Sequence, residues 1–288
     1  MRKLFFWFLC SSLIVHSASA SAQSGEEPRS TTIGEMPFQL RGGFLIVVAG
    51  RIDSLSGLKF ILDTGVTHSI VDQKIAHRLG LQLQPAQLFT FDKTIEIKSA
   101  VFPEVQFGPV RAPNLAMLVC DLSQLSDFAR DVDALIGLDL LQMNNVALDF
   151  DAKKVVFSGY ERRASDALAS STRRCLTVEM EVQHHRVHLI VDTGFQGILF
   201  YEERLVKRIP ELEFAGSVKQ GGIRGRMRLK QASLPGVRLG SEVSDPVVLL
   251  MKSPPDNVLV GIDGFLGISA LKARRIYFDF ETDTLTWE

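Results

Sequence analysis

The sequence predicts an all-β protein assembled from two similar halves. Three observations carry that prediction. Short runs rich in Val, Ile, Leu and Phe are broken by Gly, Pro, Asn or Asp about every ten residues, the rhythm of a barrel or sandwich. Helical periodicity is sparse: its best stretches are 71–79, closed by Gly80, and 201–208, closed before Pro210. Finally, a set of landmarks recurs at a nearly constant offset, which is the signature of an internal repeat.

Taken in chain order, residues 1–22 belong to targeting rather than to the fold. Arg2 and Lys3 precede an apolar stretch, 4–15, interrupted only by Ser11 and Ser12, and small residues follow, with Ala-x-Ala cleavage expected after Ala20 or Ala22. The apolar stretch is short for a membrane span. A cleaved signal peptide and a periplasmic or secreted protein are therefore expected, the alternative being a retained anchor. No other stretch of about 20 apolar residues occurs, so no stable span is expected in the mature chain. Residues 23–36 are polar and read as a tether. From Pro37 strands begin, at 44–48 and again at 59–63, a run that ends on an acid. The N-terminal half is expected over 37–159, a polar linker over 160–174, and the C-terminal half over 175–288.

Composition narrows the function classes. Among 288 residues, 32 Lys and Arg face 33 Asp and Glu, a formal charge of −1 with no basic block, so nothing marks a nucleic-acid partner. With 46% hydrophobic residues the chain is globular rather than disordered, collagen-like or coiled-coil. Cleavage would leave Cys120 and Cys175, each in a strand-like stretch, 115–122 and 175–182. Export permits one disulfide between them, and two buried thiols are equally open. No CxxC or Cys/His zinc spacing occurs.

The repeat locates the chemistry. Phe60-Ile-Leu-Asp-Thr-Gly65 recurs as Leu189-Ile-Val-Asp-Thr-Gly194, 129 residues on, each copy followed by a few mixed residues and a short helix. Ala134-Leu-Ile-Gly-Leu-Asp-Leu-Leu141 is answered by Gly264-Phe-Leu-Gly-Ile-Ser-Ala-Leu271, 130 residues on. Each leads into a strand pair, 146–157 and 276–287. One Asp-Thr-Gly is weak; two at the same place in a repeat are not. Glycine lets the chain turn with no Cβ in the way, so Asp63 and Asp192, at the strand ends, can point into a cleft. Thr64 and Thr193 offer hydroxyls that can tie the two loops across a pseudo-twofold axis. Carboxylates brought face to face share a proton and titrate as a unit, one serving as general base on water and the other as general acid toward a carbonyl oxygen.

These residues resemble the retropepsin-like branch of the aspartic proteases, in the bacterial exported form with both lobes in one chain. The resemblance runs from Pro37 to the C-terminus. Leu62-Asp63-Thr64-Gly65 and Val191-Asp192-Thr193-Gly194 match the catalytic motif. Leu135-Ile136-Gly137 and Phe265-Leu266-Gly267 match the apolar-apolar-Gly that packs behind it, and Lys219-Gln-Gly221-Gly222-Ile223-Arg-Gly225 resembles the glycine-rich flap. The resemblance implies a catalytic dyad of Asp63 and Asp192, interlobe hydrogen bonds from Thr64 and Thr193, support from Gly65 and Gly194, and a flap carrying Gly221, Gly222, Ile223 and Gly225. It implies endopeptidase cleavage of a peptide or protein substrate with no metal and no cofactor. One chain supplies both carboxylates, so a monomer with an intrachain pseudo-dimer is expected. A different class of function, an envelope peptide-binding or scaffolding module using the same cleft without turnover, is the alternative.

Two departures from the family pattern bear on function. Where pepsins carry Ser or Thr after the motif glycine, this chain has Val66 and Phe195, which cannot donate a hydrogen bond to the carboxylate; the dyad should titrate higher. The glycine-rich flap occurs only in the second half, the first offering Phe89-Thr-Phe-Asp-Lys-Thr-Ile-Glu-Ile-Lys98 instead. That leaves one flap to do the closing, or a stiffer aromatic hairpin in the first lobe. His184, His185 and His188 are the nearest thing to a metal cluster. In a strand, however, His184 and His188 would share one face and His185 the other. Arg224, Arg226, Arg228 and Lys230 alternate, as on the solvated outer face of a hairpin; attraction of an acidic substrate or a membrane surface is the sharper alternative.

Overall fold

A computed structural model describes residues 32–91, 93–123, 125, 128–159, 175–209, 212–223, 226–239, 242–255 and 257–288. The expected signal peptide, the tether up to residue 31, the linker, Arg224 and Gly225 lie outside the described residues.

The fold is all-β, with two large sheets in matching order and a third between them. The first-lobe sheet has eight strands, ordered Gln84–Thr90, Lys93–Phe107, Val110–Cys120, Ile70–Asp72, Ala134–Ile136, Leu55–Leu62, Leu45–Ile52 and Gln39–Arg41. The second-lobe sheet runs Glu213–Gln220, Met227–Ser233, Val247–Met251, Ile198–Tyr201, Gly264–Gly267, His185–Asp192 and Thr177–Val182, then Val237–Leu239 and Glu242–Ser244. Seven successive strands correspond, so the repeat in sequence is a repeat in topology.

Strands leading to the two motifs are buried on both faces. Phe60 and Leu62 enter the main core while Ile61 enters a smaller first-lobe cluster; Leu189 and Val191 enter the main core while Ile190 enters a second-lobe cluster. That double burial explains why each approach reads as a continuous apolar run rather than an alternating one. Each then pairs in parallel with the apolar-apolar-Gly strand, Leu62 opposite Ile136 and Asp192 opposite Gly267.

The helices are shorter than their sequence pattern. Gln73–Arg78 replaces 71–79, because Ile70–Asp72 is strand, paired with Leu118, Val119 and Cys120; β-branched residues buried on a sheet win over helical spacing. Asp72 caps this helix by accepting from the Lys74 backbone N–H at 2.8 Å. Glu202–Val206 likewise follows strand Ile198–Tyr201. Single turns at Leu138–Leu141 and Ile268–Leu271 were not legible, since four residues are too few to display a period.

The third sheet has five strands, ordered Thr32–Pro37, Lys154–Ser158, Asn145–Asp149, Arg275–Asp279 and Thr284–Trp287, and draws on both halves. Val146 lies opposite Phe278, Ala147 opposite Tyr277 and Leu148 opposite Ile276. With the 130-residue offset of these landmarks, that register is its own mirror about the Ala147–Tyr277 pair. The strand pairs expected inside each half therefore join across the halves. Thr32–Pro37 corrects the expected tether: its last residues are an outer strand, with only Met36 buried, so their polar pattern hid them.

Among the described residues no helix is long and apolar enough to cross a membrane. Cys120 and Cys175 are not joined in a disulfide, and they pack against the first-lobe and second-lobe clusters respectively. Burial, with Asp72 and Asp121 adding to it, pushes the Cys120 thiol up to about 12.

Candidate active site at the junction of the lobes

Asp63 and Asp192 end their strands at the junction, and both are buried, at 8% and 4% exposure. Their carboxyls hydrogen-bond each other. Each also accepts from the backbone N–H two residues ahead, Gly65 to Asp63 Oδ1 at 2.9 Å and Gly194 to Asp192 Oδ1 at 2.8 Å.

The threonines tie the two loops in a reciprocal pattern. The Thr64 N–H donates to Thr193 Oγ1 at 3.0 Å, and the Thr193 N–H to Thr64 Oγ1 at 3.1 Å. Each hydroxyl then donates onward into the opposite lobe, Thr64 to the Val191 carbonyl at 2.8 Å and Thr193 to the Leu62 carbonyl at 2.6 Å. All four bonds are buried. Behind the threonines, Leu141, Val146, Leu148, Phe278 and Phe280 line a small apolar void with Leu62 and the threonines themselves.

The motif glycines make room for the opposing carboxylate. A Cβ on Gly65 would stand 2.4 Å from the Asp192 carboxyl carbon, and one on Gly194 would stand 2.6 Å from Asp63 Oδ2. The apolar-apolar-Gly segments pack against the loops that follow. A Cβ on Gly137 would stand 2.8 Å from the Val66 carbonyl, and one on Gly267 would stand 2.2 Å from that of Phe195. The first-lobe loop is braced further by Asp139, which accepts from the Ser69 N–H at 2.8 Å and hydroxyl at 2.6 Å, while Ser69 Oγ accepts from Gly137 N–H at 3.0 Å. In the second lobe Ser269 takes the place of Asp139 and accepts from Gly197 N–H at 3.2 Å.

Electrostatically the pair favours holding a proton. Burial pushes the Asp63 carboxyl up to about 6, against the Gly65 N–H and the hydrogen bond from Asp192. Burial also raises Asp192 well above the usual carboxylate range, and the neighbouring Asp63 charge adds to it. The direction is that expected from Val66 and Phe195, but desolvation is the leading cause.

Of the expected flap, Gly221, Gly222 and Ile223 lie at the tip of the hairpin formed by Glu213–Gln220 and Met227–Ser233. The first lobe has the matching hairpin, Gln84–Thr90 with Lys93–Phe107, closed at the Thr90–Lys93 pair.

Residues 48–140 match a family model described as aspartyl protease. That match lies within the first lobe and covers about a third of the chain. No curated protein matches it. Among solved structures it is similar to the crystal structure of a retropepsin-like aspartic protease from Rickettsia conorii. That similarity has 15% identity and a TM-score of 0.33, and covers 46% of this chain and 97% of that one.

Several residues that build this site left no signal of their own in the sequence. Asp133 and Asp263 stand just before the apolar-apolar-Gly segments at the same 130-residue offset, so extending the repeat by one residue would have found them. Asp133 Oδ2 accepts from Lys59 N–H at 2.9 Å, and Asp263 Oδ2 from His188 N–H at 2.9 Å, pinning the strand that carries each Asp-Thr-Gly motif. Phe91 and Tyr201, whose contacts span the lobes, left no pattern in the sequence. Among the described residues no cluster of His, Cys, Asp and Glu is placed to hold a metal. His184 sits in the turn between strands, at φ 70°, rather than on one face with His188. Arg226, Arg228 and Lys230 are exposed, with Met227 half-buried and Leu229 buried between them, and Lys230 pairs with Glu202 at 2.6 Å.

Proposed function

We propose that this chain is an aspartic endopeptidase. One observation carries the proposal: two Asp-Thr-Gly turns meet with reciprocal threonine hydrogen bonds and mutually bonded, buried carboxyls. With one proton between them, the ionised carboxylate, Asp63, takes a proton from a water as its oxygen bonds the peptide carbonyl carbon. Asp192 delivers its proton to the carbonyl oxygen. Collapse of the tetrahedral intermediate breaks the C–N bond as the proton gained by Asp63 passes to the leaving nitrogen, and one hydroxyl of the gem-diol returns its proton to Asp192, restoring the dyad. Substrate lies extended between the two hairpins, bonded through its backbone in the manner of an added strand.

The singly protonated dyad exists only above its lower titration, which the raised Asp63 carboxyl puts at about pH 6. Activity is therefore expected to rise through mildly acidic pH toward neutrality and to fall once the second proton leaves. An optimum confined to strongly acidic pH would contradict it. Residues 1–22 act as an export signal, giving a periplasmic or secreted monomer, so activity per molecule should not change on dilution.

The test is incubation of residues 23–288 with a mixed peptide library across pH, beside Asp63→Asn and Asp192→Asn. Either substitution should cost at least about 100-fold, the scale of general acid–base catalysis. Cleavage surviving both would refute the dyad, and binding without cleavage would favour the scaffolding role instead.

A further inference from the structure

The two hairpin tips exchange lobes. Phe91, at the turn between Gln84–Thr90 and Lys93–Phe107, packs on the second-lobe cluster that contains Phe195, Tyr201 and Phe265. Its ring meets the Phe265 ring edge-on with centroids 4.7 Å apart. The Tyr201 hydroxyl donates to the Phe91 carbonyl at 2.8 Å. Tyr201 is itself held, fully buried, 6.0 Å from the Phe265 ring and 5.0 Å beneath the Arg204 guanidinium. In the opposite direction Ile223 packs on the first-lobe cluster that contains Val66 and Leu135. Val66 and Phe195 each follow a motif glycine, so the tips dock on the apolar walls next to the dyad.

The repeat supplies an internal comparison. The first-half counterpart of Tyr201, 129 residues earlier, is Asp72. Both its carboxylate oxygens are engaged inside the first lobe, accepting from Lys74 N–H at 2.8 Å and Leu122 N–H at 3.1 Å. Among the described residues, the first lobe therefore has no counterpart of the Tyr201 hydroxyl at this position. Lifting the first-lobe hairpin strips one aromatic ring from another and removes the acceptor of a buried hydroxyl.

We propose that Tyr201 and Phe91 are positioning residues that clamp the first-lobe hairpin across the cleft, fixing one wall of the path an extended peptide would take. The clamp stands on its own contacts; its effect on substrate binding rests on the endopeptidase proposal above.

Hydrogen–deuterium exchange on the full chain tests it. Tyr201→Phe keeps the ring and removes the hydroxyl, and should speed exchange at 84–98 about fivefold, the size of one net hydrogen bond, with 213–220 unchanged. Phe91→Ala should speed the same segment at least as much, and Phe91→Tyr should keep wild-type protection. For a cleaved peptide, Tyr201→Phe should raise KM while leaving the pH profile in place, because the dyad is untouched. Exchange at 84–98 unaffected by Tyr201→Phe and Phe91→Ala, or accelerated equally in both hairpins, overturns the clamp. A wild-type chain that cleaves nothing sinks the endopeptidase proposal, while the exchange comparison still decides the clamp.

Discussion

Close approach, not backbone freedom, is what the motif glycines supply. Neither Gly65 nor Gly194 has a positive φ; each is small because the other lobe's carboxylate occupies the space of its Cβ. The same packing removes water and raises both carboxyls. For Asp63 the rise runs from an ordinary 3.8 to about 6. A proton held more tightly in the folded state stabilises the fold below about pH 3.8, and that contribution is lost as pH climbs through about 6. Asp63→Asn carries no charge to desolvate and escapes the loss. Its stability relative to wild type should thus improve between pH 4 and pH 7 by on the order of 3 kcal/mol, the free-energy equivalent of the shift. Urea unfolding of both proteins at the two pH values checks this, and a constant difference would show that Asp63 is not raised. The sequence made this site legible because each motif residue has a purely local requirement and occurs twice. It named the hydroxyl donors missing at Val66 and Phe195, yet desolvation comes from neighbours scattered along the chain.

At the scale of the element, each strand that ends in Asp-Thr-Gly is pinned by an aspartate from the next strand over. Asp263 is deeply buried, bonds the His188 N–H, and pairs with Arg208; Asp133 bonds the Lys59 N–H and pairs with Lys74 at 3.3 Å. Removing the Asp263 carboxylate leaves a partly buried N–H unpaired and a guanidinium without its counter-ion, while the more exposed Lys74 can turn to water. Asp263→Ala should therefore cost about 2–3 kcal/mol and Asp133→Ala about 1–2 kcal/mol by chemical denaturation. Equal costs would mean that burial of the ion pair is immaterial. Strands such as these were legible as apolar runs ending at an acid. What sequence could not show was the clamp between Phe91 and Phe265, or the outer strand Thr32–Pro37, because cross-lobe contacts follow no periodicity and an exposed edge strand buries almost nothing.

For the whole molecule, the two halves meet as a dimer would, but within one chain. The Ala147–Tyr277 register and the Thr64–Thr193 bonds are each self-complementary, the mark of an isologous contact. The shared sheet holds the lobes at the rear, and the threonines set the register at the front. Thr64→Val deletes the acceptor of the Thr193 N–H and the donor to the Val191 carbonyl, both buried. The expected cost is about 2–3 kcal/mol, and Thr193→Val should match it. The four bonds are distinct, so simple bookkeeping would make the double variant additive. Instead the second substitution should cost less, because a junction already breached admits water to the remaining partners; a coupling of about 1 kcal/mol is expected from unfolding of all four proteins. Activity should fall in each single variant by more than stability explains, since the threonines hold the carboxyls in register. Thr64→Ser separates hydroxyl from methyl: it keeps both bonds and should keep wild-type stability to within about 1 kcal/mol. Should serine cost as much as valine, packing of the threonine methyls against Leu141, Val146 and Phe278 would join the lobes as strongly as the hydroxyl pattern does.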